Sequence, residues 1–293
     1  MNDDVIKGLL SQLETNSTKL SLIEKENVAR DLALILSFID SGEYQSTELF
    51  NRNRFDTQKR TYEFFSYIKG YFQQATQWHE FIKQMPLETM SSILDIGPGF
   101  SPKVELALKL AGFKGHLTVL DKSDSALIGL QDFLQMVDIP FELKVICDDL
   151  FAVKNIQFNL VTANHLFDDL LMDAYCTLKQ LPLKCLYESE ALVLGITNEI
   201  AQTFDTTLLI HKLALTLGEL VCEHGFLLLR HYQGLTEKAL AMNNWYAFVT
   251  LFFENVIDEL QRNGFSMIER KNGFVLLEKN LSLKKMPHDE QTS

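Results

Sequence analysis

The chain has 293 residues, of which 46% are hydrophobic, and a formal net charge of −12. This composition is typical of a globular protein with a sizeable core, and it excludes a disordered chain. The acidic balance argues against nonspecific binding to nucleic acid or to an anionic membrane, because both depend on clustered positive charge. We therefore expect neither of them as a direct partner.

The first ten residues, MNDDVIKGLL, are acidic where a secretory signal would be basic. No apolar run approaches the roughly 20 residues that span a bilayer, so we expect a cytoplasmic protein. The cysteines are widely spaced and form no C-x-x-C pair, which favours reduced thiols and no metal site. They are Cys147, Cys176, Cys185 and Cys222.

Helical patterns fill the chain up to about Pro86, and no strand pattern interrupts them. We therefore predict an N-terminal helical subdomain over residues 1–90. Its third segment, about residues 56–85, is rich in aromatic residues: Tyr62, Phe64, Phe65, Tyr67, Tyr71, Phe72 and Trp78. This segment either packs on the core or roofs an acceptor pocket, and a homodimer contact is a third role for these helices.

From Ser92 onward, short apolar runs alternate with helical segments, which is the pattern of a parallel sheet with crossover helices. The runs are SILDI, HLTVLD, FELKVIC, FNLVTA and FLLLRHY. The first crossover helix is predicted to have Ser101 as its cap and Pro102 in its first turn, and to end at Gly112. The second is predicted to begin with Ser123 or Asp124 as its cap.

A long helix is predicted over residues 244–262, and Asn272-Gly273 predicts an antiparallel hairpin between the last two strands. The predicted fold class is α/β, with a doubly wound, mostly parallel seven-stranded sheet over residues 91–280. About 60 residues separate the fourth and fifth runs, against the roughly 12 that a crossover needs. Residues 188–220 are therefore predicted to hold an extra helix, and residues 281–293 a frayed tail.

The stretch SILDIGPGFSPKVE, residues 92–105, carries a carboxylate, Asp95, in an apolar strand just before a glycine turn. An unpaired charge in such a strand is costly, so Asp95 needs a partner. Gly97 and Gly99 allow a close backbone approach, and the helix that follows offers free N–H groups. The pattern suits either a dinucleotide or S-adenosylmethionine. The dinucleotide fingerprint fits poorly, because Pro102 stands at the position of its third small residue.

The segment ILDIGPG resembles the first motif of the class I S-adenosylmethionine-dependent methyltransferases residue for residue. The resemblance implies that Asp95 pairs with the methionine ammonium of the cofactor, often through water. It implies that Asp121, at the end of the second strand, accepts from the ribose hydroxyls. After the third strand, Asp148 or, as the better match, Asp149 would accept from the adenine amino group, with Leu150 beside the base.

The resemblance spans residues 92–279 and implies a methyltransferase that uses S-adenosyl-L-methionine. The segment FNLVTANHLFDDL resembles the fourth strand and its end, which adds Asn164 to the expected cofactor-binding residues. Family members that methylate nucleic acid or glutamine amides commonly carry Asn-Pro-Pro-Tyr here. The segment Asn164-His165-Leu166-Phe167 argues against those substrates. In the approach to the fifth strand, His224 replaces one of two usual glycines or a neighbour of theirs.

Methyl transfer requires alignment of the reactants and, for some acceptors, removal of a proton. His165 is the preferred base because an imidazole titrates near pH 7, and His231 is the second candidate. A hydrogen bond to the backbone at a strand end is the alternative role for His165. We expect a small-molecule O or N acceptor under a lid built from the N-terminal helices and the insertion. The alternatives are a protein side-chain acceptor, a related transfer from the same cofactor, and a non-catalytic cofactor-binding partner subunit.

Overall fold

The computed structural model describes residues 71, 74–99, 101–137, 139–181, 190–234, 237–238 and 240–280. Most of the predicted N-terminal subdomain lies outside these residues, as do Cys185, the start of the insertion and the predicted tail. Of the aromatic residues of the third segment named above, Tyr71 and Trp78 are described. The boundary between the two predicted domains therefore stays a prediction.

Seven strands form one sheet in the order β3-β2-β1-β4-β5-β7-β6. Strands β1 to β5 pair in parallel, and β7 is antiparallel to both β5 and β6. The sheet confirms the predicted fold class. The strands are β1 Ser92–Ile96, β2 His116–Asp121, β3 Glu142–Cys147, β4 Phe158–Asn164, β5 Val221–Arg230, β6 Phe265–Lys271 and β7 Phe274–Lys279.

Helices cover both faces of this sheet, as the alternation of strands and helical segments predicts. They are α1 over residues 74–82, α2 Lys103–Leu110, α3 Asp124–Val137, α4 Phe167–Lys179, α5 Glu190–Thr203, α6 Thr207–Leu220 and α7 Asn243–Arg262. Helices α5 and α6 fill the long interval before β5, so the prediction of an extra helix there is confirmed.

Successive side chains of β1 enter two different cores, because a strand alternates its side chains between the two faces of the sheet. Ile93 is buried with residues of α1, α2 and α3. Leu94 and Ile96 are buried with residues of α4 to α7. This alternation puts Asp95 on the face of the sheet that Ile93 shares.

Two predicted turns are confirmed by left-handed backbone. Gly112, just past the end of α2, has a φ of +73°, which suits a glycine after a helix C-cap. Asn272 and Gly273 have φ values of +53° and +79° between β6 and β7, as a tight hairpin turn requires. His224 has a φ of +58° inside the irregular start of β5, a conformation that favours the glycine usual in the resembled family.

The start of α2 differs from the prediction. Pro102 occupies the N-cap with a φ of −75°, and no side chain caps the helix. The Ser101 N–H instead donates to the Pro98 carbonyl oxygen at 3.0 Å. Ser101 is therefore part of the glycine turn, and the prediction that it caps α2 is wrong. The second cap is confirmed, since Ser123 Oγ accepts the Ala126 N–H at 3.2 Å before α3.

Candidate functional site

The glycine turn joins β1 to α2 and is held by hydrogen bonds from two of its backbone N–H groups. The Gly97 N–H donates to the Leu120 carbonyl oxygen at 2.8 Å, and the Gly99 N–H donates to Asp121 Oδ2 at 3.0 Å. Both glycines are left-handed, with φ values of +62° and +57°. A Cβ on Gly97 would also lie 2.8 Å from Leu166 Cδ1. Gly97 is thus favoured by its left-handed conformation, and a Cβ there would force the end of the Leu166 side chain to move.

Asp95 is 2% exposed, and its hydrogen-bonding neighbours are the Thr162 hydroxyl group and the Glu105 carboxyl group. Thr162 Oγ1, from β4, donates to Asp95 Oδ1 at 2.6 Å. Burial raises the pKa of Asp95 to about 7, although the Thr162 hydrogen bond and the charge of Lys103 oppose that rise. The carboxyl group therefore holds a proton far more readily than an exposed aspartate does. A cationic ligand would favour its charged form.

Glu105, in the first turn of α2, is a second buried carboxyl group and was missed by sequence reasoning. It is fully buried, and its hydrogen-bonding neighbour is the carboxyl group of Asp95, with no other side chain donating to its oxygens. Burial raises its pKa well above the usual range, and the nearby charge of Asp95 raises it further. Asp95 and Glu105 thus act on each other across the junction of β1 and α2.

Asp121 lies at the end of β2, as predicted, and both of its oxygens accept backbone N–H groups. Oδ2 accepts from Gly99 at 3.0 Å, and Oδ1 accepts from Ser123 at 2.8 Å. Burial raises the pKa of Asp121, and these hydrogen bonds oppose the rise. A carboxylate oxygen can accept more than one hydrogen bond, so the group keeps capacity for hydroxyl donors.

The acids after β3 already have structural roles. Asp149 caps the short 3-10 helix Leu150–Ala152 and lies 2.5 Å from Lys122 Nζ. Burial is the largest influence and raises the pKa of Asp149, but Lys122 and the cap hydrogen bond outweigh it and hold the pKa below its usual value. Asp148 is exposed, and its Oδ1 accepts the Asp149 N–H at 2.7 Å. An adenine contact stays a prediction for both aspartates and for the buried Leu150.

Asn164 and His165 end β4, next to the glycine turn. Asn164 Oδ1 accepts from Trp78 Nε1 of α1 at 3.4 Å. His165 has a φ of +57°, and its N–H donates to the Arg230 carbonyl oxygen at 2.9 Å. Its ring stacks on Tyr232 with the centroids 4.7 Å apart. The hydrogen bond involves the main chain alone, so the alternative role of the imidazole stays a prediction, and the ring itself lies against Tyr232 after the end of β5.

His231, the second candidate base, lies in an aromatic core. It is 4% exposed, and its Nε2 is 3.1 Å from Thr250 Oγ1. Its ring stacks on Tyr246 with the centroids 5.2 Å apart. Burial and, to a smaller extent, the charge of His165 lower the pKa of His231 to about 4. A neutral imidazole that resists protonation is a weak base, so the geometry favours His165.

A polar cluster beside His165 was also missed by sequence reasoning. Tyr232 Oη accepts from Lys103 Nζ at 3.2 Å and donates to Gln74 Oε1 at 3.3 Å. The buried Arg230 guanidinium lies 4.6 Å from the centroid of the Tyr232 ring and donates to Gln77. Burial raises the pKa of Tyr232, but these two cations help to bring it below its usual value. No local pattern marks the cluster, since 129 residues separate Lys103 from Tyr232.

Within the described ranges, no helix is both long and apolar enough to cross a membrane. No group of three or more histidine, cysteine or acidic side chains is arranged to hold a metal ion in that part of the chain. Cys147, Cys176 and Cys222 are free thiols.

Comparisons with known proteins give matches among solved structures alone. No model of a known protein family matches the sequence, and no curated protein matches it. One similar structure is the N-methyltransferase NodS from Bradyrhizobium japonicum WM9, with 14% identity and a TM-score of 0.43 over 71% of this chain and 97% of that chain. Another is an O-methyltransferase family protein from Burkholderia thailandensis, with 12% identity and a TM-score of 0.48 over 90% and 74% of the two chains.

A third similar structure is human N-acetylserotonin methyltransferase in complex with SAM, with 13% identity and a TM-score of 0.45. The similarity covers 80% of this chain and 60% of that one. Identities and TM-scores at this level assign no activity, substrate or cofactor to this chain.

Proposed function

We propose that the chain is an S-adenosyl-L-methionine-dependent methyltransferase that acts on an oxygen or nitrogen of a small molecule. The observation that carries the proposal is the glycine turn that directly follows the buried Asp95. The hydrogen bond to this carboxyl group comes from a neutral hydroxyl, so a cationic ligand would complete the site. A dinucleotide offers phosphates, which a buried acid would repel. The methionine ammonium of S-adenosylmethionine carries the required charge.

The acidic residues that follow β2 and β3 fit the other parts of the cofactor. The Asp121 carboxylate holds the glycine turn and has capacity for the ribose hydroxyls. Asp148 and Asp149 follow the neighbouring strand, where adenine is expected, with Leu150 as an apolar contact. When bound, the cofactor supplies an electrophilic methyl group on a sulfonium. The chain's own task is to align the acceptor with that group and, where needed, to take up its proton.

The acceptor is proposed to lie at the ends of β4 and β5, beneath α1. Three side chains of α1 reach those strand ends: Trp78 bonds Asn164, Gln74 bonds Tyr232 and Gln77 bonds Arg230. These contacts support a lid role for α1, while its buried residues also pack on the core. We propose His165 as the base, because its ring lies at the same place.

Calorimetry with the full chain tests the cofactor. S-adenosylhomocysteine should bind and NAD should not; the opposite result would end the proposal. Asp121→Ala should weaken binding by about 1–3 kcal/mol, the range expected for hydrogen bonds to a charged group. Asp258→Ala, which alters an exposed residue of α7, is the matched control and should bind normally. Equal affinity of both variants would remove Asp121 from the site.

Formation of S-adenosylhomocysteine from S-adenosylmethionine in the presence of cell extract tests turnover. A non-catalytic cofactor-binding subunit would bind the cofactor and form no product. Once an acceptor is found, His165→Gln should lower kcat by about 10²–10⁴, the usual contribution of a general base, and leave S-adenosylhomocysteine affinity unchanged. His211→Gln, on the exposed side of α6, is the control. An unchanged kcat in His165→Gln would show that His165 is not the base.

A further inference from the structure

Two carboxyl groups are buried together where β1 meets α2. Asp95 is 2% exposed and Glu105 is fully buried. Neither oxygen of Glu105 accepts from a donor outside this pair, its hydrogen-bonding neighbour is the Asp95 carboxyl group, and Asp95 also accepts from Thr162. Two buried acids that face each other are satisfied only if they share a proton or if a cation takes the place of that proton.

The charges around this pair do not neutralise it. Lys103, on α2, and Asp121, on β2, are the other charged groups that act on Asp95, and Lys103 also acts on Glu105. Lys103 Nζ, however, donates to Tyr232 Oη, and neither acid forms an ion pair with any described residue. Two carboxylates at such close quarters cannot both ionise without a cation. The free protein therefore keeps a proton on the pair.

We propose that Asp95 and Glu105 form a single two-carboxyl site for the ammonium group of the cofactor's methionine moiety, and that binding expels the proton which the pair shares in the free protein. The inference rests on the proposed function and adds Glu105 to its binding site. No covalent bond changes: the proton passes to solvent, and the ammonium takes over its role of neutralising the second carboxylate.

Because the bound state holds fewer protons than the free state, binding of the ligand must become stronger as the pH rises. Affinity for S-adenosylhomocysteine rises with pH across the range in which the pair titrates, by up to about tenfold per pH unit for one proton released. If Glu105 were only a protonated core residue, its proton would stay in place and the affinity would not follow this slope.

Calorimetry of the wild-type chain with S-adenosylhomocysteine near pH 7, in buffers that differ in ionisation enthalpy, counts the protons. We expect about one proton to be released. The desamino analogue of S-adenosylhomocysteine, which lacks the ammonium alone, should bind more weakly and release none. Equal proton release by both ligands, or release by neither, would overturn the inference.

Variants test whether Glu105 contributes to the proton release. Glu105→Gln keeps the size of the side chain but removes one of the two acids, so it should release fewer protons than wild type and show a shallower pH slope, with affinity at pH 8 about tenfold lower. Glu223→Gln, at an exposed position of β5, is the control and should behave as wild type. Should Glu105→Gln fail to fold, the wild-type comparison of the two ligands decides alone. Binding of S-adenosylhomocysteine without proton release refutes this inference and leaves the proposed function intact, whereas no binding at all refutes both.

Discussion

Two groups of ionisable residues lie at the carboxyl ends of the parallel strands, and they differ in how their charges are balanced. The outer cluster, after β2 and β3, consists of Asp121, Lys122, Asp148 and Asp149. Its acids already accept backbone N–H groups or pair with Lys122. The inner cluster, around the ends of β1, β4 and β5, consists of Asp95, Lys103, Glu105, Arg230, His231 and Tyr232. Its members are mostly buried, and several have polar atoms without partners.

The difference shows where the protein keeps its capacity to bind. An acid whose oxygens already accept backbone N–H groups or pair with a lysine gains less from one more hydrogen bond, because part of its desolvation is already compensated. A buried group with an unused oxygen or nitrogen gains much more, since its desolvation has already occurred. We therefore expect the outer cluster to position a ligand and the inner cluster to supply most of the discrimination. The β1/β4 boundary, where the strand order reverses direction, is also where ligands bind in such sheets.

The largest expected effect tests burial in the inner cluster. The pKa of His231 lies at about 4 in the folded chain, against about 6.5 when unfolded. The contribution of His231 to the free energy of unfolding is fully present above pH 6.5 and is lost as the pH falls toward 4. In that range the unfolded chain binds a proton that the folded chain does not bind. The loss amounts to about 3 kcal/mol over that window.

His231→Phe, which keeps an aromatic ring beside Tyr246, should remove this part of the pH dependence. Chemical denaturation at pH 7 and at pH 5 measures it for the variant and for wild type. His211→Phe replaces an exposed histidine and should retain the wild-type slope. If His231→Phe and wild type lose stability equally between the two pH values, His231 is not held neutral by burial.

An intermediate effect tests the glycine turn that joins the two clusters. Gly97→Ala puts an alanine in a left-handed backbone conformation and places its Cβ against Leu166 Cδ1. At Gly99 the left-handed conformation alone opposes the substitution. An L-residue in that conformation costs about 1–2 kcal/mol. We expect Gly97→Ala to lose about 2 kcal/mol of stability and Gly99→Ala about 1 kcal/mol. Thermal unfolding compares them, and an equal loss would show that Leu166 moves aside without cost.

The smallest effect is expected in the outer cluster. Asp149→Asn removes one charge of the pair with Lys122, whose side chains are 37% and 47% exposed. Solvent screens such a pair, so we expect a stability loss below about 1 kcal/mol. Asp95→Asn provides the contrast, because it should change the pH dependence of stability at neutral pH while Asp149→Asn does not. A loss of several kcal/mol in Asp149→Asn would contradict the division into two clusters.

The sequence predicts the parts of the site that share one segment. The strand, the two glycines and Asp95 lie within eight residues, and their order alone carries the motif. Asp121 and Asp149 were found the same way, because each follows an apolar strand. The hairpin at Asn272-Gly273 was also predicted from its own residues, because tight turns with left-handed backbone favour asparagine and glycine.

The inner cluster could not be predicted, because its contacts join distant segments. Lys103 meets Tyr232 across 129 positions, and Arg230 meets Gln77 across 153. Histidines also look alike in sequence, and burial alone separates His231 from His165. Glu105 sits in a helix whose pattern of apolar residues gives no sign that a carboxyl group is enclosed. Ser101 is a residue type that commonly caps helices, but here it belongs to the glycine turn and does not cap α2.

The hairpin at the far end of the chain also decides when the inner cluster is complete. Gly273 accepts the His231 N–H through its carbonyl oxygen at 3.0 Å, and β7 pairs with β5 from Phe226 to Arg230. During synthesis, the ribosome must therefore release the residues up to β7 before β5 gains its second neighbour. Until then β5 is an open edge strand with the apolar run Leu227, Leu228 and Leu229, which invites association with other chains. A nascent chain stalled before β7 would therefore need a chaperone to stay monomeric.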